Sequence, residues 1–256
     1  MSIFNLLFLG TCACDYSPKL KEEYKDKFDK DARRSSSIII DGKYLVDCGP
    51  HTLDSLRIAG VERTNLTALF ITHTHDDHFD EKNVQELVDT VPNLRIYINE
   101  NADINIQNAE IIKMKTFTPY CCEDMTVTSY PANHRQETAP QHYLFEKSGK
   151  KIFYALDGAL FLHQTYYALV EKEFDTLVLD CTTGDYEGDY RLCEHNSIPL
   201  IRLMLPSMKT VRMITADTQV YLSHLAPSLH KSHDETVKIC EKFGAKVAYD
   251  GLKIDI

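Results

Sequence analysis

Most apolar residues of this chain fall in short runs bounded by turn residues, and only a few segments show helical spacing. Ile3-Phe-Asn-Leu-Leu-Phe-Leu9 is apolar on both faces, which predicts a buried strand over 3–9 halted by Gly10. Ser37-Ile-Ile-Ile40, Asp41-Gly42 and Lys43-Tyr-Leu-Val46 predict a hairpin, because Asp-Gly supplies the positive φ values of a tight type I′ turn. Thr67–Thr72 is a short apolar strand that runs into a histidine-rich loop. Asp80–Asp89 fits a helix with Val84, Leu87 and Val88 at core spacing. Further strands are predicted at 94–98, 110–114, 125–130, 142–147, 151–156, 176–180, 219–223 and 246–249, and helices near 159–171, 197–205 and 230–243. No repeat, Pro-rich linker or low-complexity run divides the chain. The economical expectation is one α/β (α+β) domain over residues 1–256, with sheets covered by helices.

One segment breaks the pattern. Asp15–Arg34 is dense in Lys, Asp and Glu, with Leu20, Tyr24 and Phe28 every fourth residue. It reads as a solvated insertion with a helical turn or two resting on the body, in preference to a lid over a site, since charge runs are usually solvated faces.

Composition narrows the class. Hydrophobic residues at 43% and charged residues at 26% exclude disorder, and 256 residues leave room for a large core. No run reaches the roughly 18 apolar residues of a membrane span, and no basic-then-apolar leader opens the chain, so a cytoplasmic protein is expected. The net charge of −10 counsels against a general nucleic-acid binder. Eight cysteines, at 12, 14, 48, 121, 122, 181, 193 and 240, form no CxxC pair, which favours reduced, buried thiols over a disulfide framework. Cys12-x-Cys14 alone is a weak metal signal.

The chemistry is concentrated in His73-Thr-His75-Asp-Asp77-His78, at the exit of an apolar strand. On an extended segment His73 and His75 project to the same side and can face one metal ion. A following turn swings Asp77 and His78 toward a second. Nitrogen and oxygen ligands of this kind suit Zn, Mn, Ni, Fe or Co, with no thiolate to select among them.

This motif resembles the signature of the metallo-β-lactamase superfamily, and the rest of that pattern follows in order. Asp47, in Leu45-Val-Asp47-Cys48-Gly49, matches the early Asp that orients a liganding imidazole. His134 matches the third histidine of the first metal site, Asp157 the bridging carboxylate, and His224 the final histidine of the second site. The resemblance implies a four-layer αββα metallo-β-lactamase sandwich with two divalent ions. His73, His75, His134 and Asp157 would hold one; Asp77, His78, Asp157 and His224 would hold the other. Two carboxylates and a hydroxide against two divalent ions leave a single positive charge, suited to a monoanionic diester.

Phe8-Leu-Gly-Thr11, Arg33-Arg34-Ser-Ser-Ser37 and Val178-Leu-Asp180-Cys-Thr followed by Glu194-His195-Asn-Ser resemble the phosphodiesterase branch, which includes the phosphoribosyl cyclic phosphate phosphodiesterases. That resemblance implies a dinuclear metal-dependent phosphodiesterase acting on a small cyclic or nucleotide diester. It makes His195 and Asp77 catalytic, with His195 contacting phosphate or protonating the leaving oxygen. His195 and Arg34 stand on the substrate side, and Asp180 beside His195 or the metal shell. His51, His142, His163, His230 and His233 read as ordinary residues of loops or helix faces, and Arg135 as an exposed arginine. The chain lacks the Cys-rich zinc insert common in the cyclic phosphodiesterases and the basic arm of tRNA 3′-processing nucleases, so a small molecule is the expected partner and tRNA is disfavoured. A homodimer is compatible with the sequence. The rivals are lactone, thioester or lactam hydrolysis on the same metals, and a non-hydrolytic metal protein such as a di-iron oxidoreductase. The latter usually replaces a histidine of the motif with a carboxylate, which is not seen here.

Overall fold

The apolar runs pair into two seven-stranded sheets in the computed structural model, which describes residues 3–256. The first sheet contains β1 (Asn5–Gly10), β2 (Ser37–Ile40), β3 (Tyr44–Val46), β4 (Ala68–Phe70), β5 (Arg95–Asn99) and β6 (Glu110–Met114). The second contains β7 (Pro119–Cys122), β8 (Met125–Pro131), β9 (Gln141–Lys147), β10 (Lys150–Ala155), β11 (Thr176–Asp180), β12 (Gln219–Ser223) and β13 (Ala245–Val247). β14 (Lys253–Asp255) returns to pair with β1, giving the orders β14-β1-β2-β3-β4-β5-β6 and β13-β12-β11-β10-β9-β8-β7. The helices are α1 (Thr52–Ala59), α2 (Glu81–Thr90), α3 (His163–Ala168), α4 (Ile198–Thr210) and α5 (His233–Cys240).

Alternation along each strand sorts the core into three layers. Leu6, Phe8, Ile38, Ile40, Tyr44 and Val46 meet the second sheet, while Leu7, Leu9, Ile39 and Leu45 pack toward Leu53 and Leu56 of α1 and Val84 and Leu87 of α2. On the far side, Leu177 and Leu179 meet Ile198, Ile201 and Met208 of α4. Strands buried on both faces need apolar residues on both, which is why the runs are continuous rather than alternating. The result is the expected αββα arrangement. No helix among the described residues is long and apolar enough to cross a membrane.

Three elements were not anticipated. α1 is short and only weakly patterned, although Gly60 after it, at φ 68°, is a helix-stop signal. β7 and β14 are edge strands with exposed positions, so hydrophobicity does not mark them. The helices expected at 159–171 and 230–243 are shorter, and residues 241–243 form a separate 3₁₀ turn. In the hairpin, Asp41 and Gly42 do have positive φ (54° and 66°), but Ile40 pairs with Tyr44, so Lys43 joins a three-residue loop.

The charged insertion is docked rather than free. Leu20 is buried in a 3₁₀ turn at Pro18–Lys21, Phe28 packs beside Gly251, and Arg57 pairs with Asp26 at 2.8 Å. Its middle is solvated, as its charge implied. Its beginning reaches the functional cavity.

Candidate metal centre and active-site cavity

β3 and β4 run parallel to each other in one sheet, as do β10, β11 and β12 in the other, so within each sheet their C-terminal ends lie at one edge. β8 has the same direction as β10, since both are antiparallel to β9. Asp47 follows β3, the histidine-rich loop follows β4, His134 follows β8, Asp157 follows β10, and His224 follows β12. Three of these residues leave their strands in the left-handed region: Asp47 at φ 62°, Asp157 at 45° and His224 at 56°. Such conformations cost of order 1–3 kcal/mol each. Their concentration at one edge marks where the fold gives up local stability to aim side chains. Gly49 serves the same edge differently. A Cβ there would lie 2.0 Å from the Asp77 carbonyl oxygen, so only glycine lets the two loops meet.

The imidazoles converge. His75 Nδ1 lies 2.9 Å from His73 Nε2 and 3.1 Å from His134 Nε2. Beside this trio, His78 Nε2 and His224 Nε2 stand 3.1 Å apart and lie 2.5 and 2.9 Å from Asp157 Oδ2. Asp77 Oδ2 completes the second group at 3.4–3.5 Å from both histidines. Asp157 links the groups, with Oδ1 3.8 Å from His134 Nε2 and Oδ2 3.7 Å from His73 Nε2.

The opposite ring nitrogens are already used. His78 Nδ1–H donates to Asp47 (2.7 Å), His224 Nδ1–H to Thr182 Oγ1 (2.8 Å), His73 Nδ1–H to Thr72 Oγ1 (3.1 Å) and His134 Nδ1–H to the Glu194 carbonyl (3.3 Å). In the neutral tautomer that these bonds select, each of these four rings turns a lone pair, not a proton, toward the shared space. Asp157 Oδ2 is buried and accepts no hydrogen bond among the described residues despite these close nitrogens. Lone pairs packed this closely repel unless a cation lies among them. The donor set fits two divalent ions: a His₃ group and an Asp/His group joined by one carboxylate.

Burial lowers the pKa of His73 and His134, which keeps them neutral and able to ligate. Burial also opposes charge on His78 and His224, but the surrounding carboxylates together, Asp157 first, with Asp77 and Asp47 at His78 and Asp180 and Asp77 at His224, outweigh it and raise both while no ion competes for the rings. The histidines in turn hold Asp77 and Asp157 well below the usual carboxylate range, against the desolvation that would raise them.

A cavity of about 450 Å³ opens over this centre, with His75, Asp77, Asp157, His195 and His224 in its lining. His195 lies just ahead of α4. Its Nδ1–H is shared between Asp180 Oδ2 (3.1 Å) and Thr182 Oγ1 (3.2 Å), and it stands 3.4 Å from Asp157 Oδ1. Burial disfavours the His195 imidazolium, but Asp180 outweighs it and raises the pKa. Desolvation likewise opposes the Asp180 charge, while His195 and His224 hold its carboxyl low. Arg135 and Arg191 line the rim, each beside a carboxylate: Glu194 at 3.2 Å and Asp189 at 2.8 Å.

The seven metal-ligand candidates, Asp47, Asp180 and His195 thus come together. Arg34 does not. It is 1% exposed, its guanidinium donates to the Tyr24 and Lys25 carbonyls, and it anchors the insertion instead of facing the cavity. Arg33 is similarly engaged, by Thr11, the Ala248 carbonyl and His233. His142, read as a loop or helix-face residue, is buried in β9, and Arg135 is at the rim rather than merely exposed. Residues the sequence did not single out include Thr72 and Thr182, which hold the rings, and Asp15 and Arg191, which line the cavity together with Cys14 of the weak Cys12-x-Cys14 signal. Thr72 and Thr182 each lie one or two residues from a motif member. Asp15 and Arg191 carried no signal beyond charge.

Residues 43–249 match the beta-lactamase superfamily domain. The fold is similar to that of the metallo-beta-lactamase fold protein YhfI from Bacillus subtilis, with 15% identity, a TM-score of 0.75 and 100% of both chains covered. It is similar to Zn(2+)-bound PqqB from Methylobacterium extorquens at 16% identity and TM-score 0.69, covering 98% of this chain and 100% of that one. Unliganded yeast PDE1 aligns at 13% identity and TM-score 0.68 over 100% of both chains. No curated sequence matches the chain.

Proposed function

The chain belongs to the beta-lactamase superfamily and is a metal-dependent hydrolase, and on that premise we propose that it hydrolyses a small cyclic or nucleotide phosphodiester. His73, His75 and His134 would hold one ion and Asp77, His78 and His224 a second, with Asp157 between them. When bound, such a pair supplies Lewis acidity at the phosphoryl oxygens and lowers the pKa of water toward 7. Zinc, as in PqqB, and manganese are the first metals to test.

The observation that carries the reading is His195. Asp180 and Thr182 occupy its Nδ1, which leaves Nε2 to hold a proton for the departing alkoxide. A poor leaving group such as a sugar alkoxide needs that proton. Asp77, whose side chain is 13% exposed against 4% for Asp157, is the ligand carboxylate open to the entering water and orients it. Asp47 fixes His78 and Asp180 fixes both His195 and His224, so each acts through the ring it holds. The rim supports a small substrate: both arginines are paired with carboxylates, which leaves no basic track for an RNA backbone.

The test is hydrolysis of bis(p-nitrophenyl) phosphate by metal-stripped protein with Zn, Mn, Ni or Co restored, beside lactone and lactam controls. Metal-dependent cleavage of the diester, lowered in His195→Ala at unchanged metal content, is expected. Activity confined to the controls would overturn the phosphodiesterase reading.

A further inference from the structure

His195 sits just ahead of α4 and Asp157 at the end of β10, yet His195 Nδ1 stands 3.4 Å from Asp157 Oδ1. The residue that spans the two segments is Asn196, which follows His195 and is buried. Its side-chain Nδ2–H donates to the Gly158 carbonyl at 2.9 Å, and Gly158 follows Asp157. The opposite amide orientation would set two acceptor oxygens against each other, so the donor faces the carbonyl.

Both ends of this brace are fixed. On the His195 side, the Asn196 backbone N–H donates to Asp180 Oδ1 at 2.9 Å, and the Asn196 carbonyl accepts from the Thr183 N–H and hydroxyl at 3.2 and 3.1 Å. Asp180 Oδ1 is thereby occupied, and Oδ2 is the oxygen that meets His195 at 3.1 Å. On the Asp157 side, Gly158 sits against the His142 ring, where a Cβ would lie 2.9 Å from Cε1. The Ala159 N–H donates to the Asn133 carbonyl at 3.2 Å, and the Asn133 amide donates to the Leu160 carbonyl at 2.9 Å. Asn133 precedes His134 in the chain. The loop that opens with Asp157 is therefore tied on one side beside a ligand candidate and on the other beside His195. Asp157 itself is held at φ 45°, a conformation that persists only where its surroundings over-determine it.

We infer that Asn196 is a positioning residue that sets the reach of His195 over the metal centre: its amide holds the loop of Asp157 at one distance from the imidazole, which keeps the His195 proton within reach of the leaving oxygen. The inference rests on the role of His195 in the phosphodiesterase reading. Misplacing a reacting group by about 1 Å can cost on the order of 100-fold in rate, so a brace between the two segments is worth a buried polar side chain.

The test is a double-mutant cycle on the metal-loaded protein with bis(p-nitrophenyl) phosphate, at equal metal content. Asn196→Leu keeps the volume and removes the donor, and it should lower kcat about tenfold. In the His195→Ala background the same change should cost less than about twofold, because the group it positions is already gone. A merely structural loss would lower kcat by the same factor in both backgrounds; that result, or an unchanged kcat in Asn196→Leu, would overturn the inference. Asn196→Ala removes the donor without adding bulk and carries the same expectation should the leucine not be accommodated. Proton NMR of the cobalt-loaded protein gives a readout without turnover. The paramagnetically shifted His195 ring signals, assigned by their loss in His195→Ala, report its distance from the ions and should move in Asn196→Leu. If the wild type does not cleave the diester, the reaction assignment fails and these signals still decide Asn196. A displaced His195 signal sustains the positioning role, and identical signals in the two proteins remove it.

Discussion

Replacing Asp47 by Asn changes one atom and should disable half of the metal centre. Asp47 is fully buried and accepts from the Thr72 N–H at 2.8 Å, the Thr72 hydroxyl at 2.9 Å and His78 Nδ1 at 2.7 Å. In Asp47→Asn the amide oxygen can still take the Thr72 N–H. The amide NH₂ then faces His78 Nδ1, and two donors cannot share that contact. His78 relieves the conflict by moving its proton to Nε2, the atom that lies 2.5 Å from Asp157 Oδ2. A protonated Nε2 cannot ligate. Losing such a supporting contact typically costs about 10–100-fold in metal affinity, or about 1.4–2.8 kcal/mol. The metal-free fold should lose about 1–2 kcal/mol, because one charge-assisted bond is removed while the buried donors stay paired. Asp47→Ala should cost more, about 3 kcal/mol, since it strands both the Thr72 N–H and the His78 ring. Competition with a chromophoric chelator, alongside urea unfolding of the stripped protein, measures both quantities. A folded Asp47→Asn protein with wild-type affinity at both ions would refute the tautomer reasoning.

The geometry of the strand ends has further consequences. Gly49→Ala puts a Cβ against the Asp77 carbonyl, so it should lower stability by about 3 kcal/mol and reduce metal occupancy with it, read by denaturant unfolding and metal analysis. Thr182→Val removes the hydroxyl shared by His195 and His224 and should lower kcat about tenfold, while Thr182→Ser retains most of the rate; equal rates for the two variants would contradict this. Burial holds the His142 imidazole down at about 4, against 6.5 when exposed. The native state therefore binds the later proton: its stability is full above pH 6.5 and is lost as pH falls through 4, by about 3 kcal/mol. His142→Leu should flatten that part of the stability–pH curve, and an unchanged slope would show that His142 is not its source.

The legible part of the molecule was its local chemistry. Strands buried on both faces announce themselves as apolar runs, so β1, β2, β4 and β11 could be placed within a residue or two. The His73–His78 motif was equally plain, because five residues suited to one chemistry lie within a single loop. α1 was hidden by its short length and weak pattern, and β7 and β14 because edge strands need no apolar face. Arg34 shows the opposite failure. An arginine beside a recognised motif looked like a phosphate ligand, but its reach is decided by the Tyr24 and Lys25 carbonyls, which belong to the insertion's own path.

By itself the sequence determined that strands dominate, which loop carries the metal chemistry, and that a charged insertion separates the first strand from the β2–β3 hairpin. Even the ordering of Asp47, His134, Asp157 and His224 became meaningful only through resemblance to a family. Which of their atoms meet, and what faces the remaining nitrogens, depended on the tertiary structure. The reason is distance along the chain: His78 and His224 are separated by 146 positions yet lie 3.1 Å apart, because two sheets bring their strand ends to one edge. The same holds for Asp15, which meets Ser228, 213 residues away, in the lining of the cavity. Local pattern can fix an element, but a site assembled from strand ends exists only once the sheets have packed.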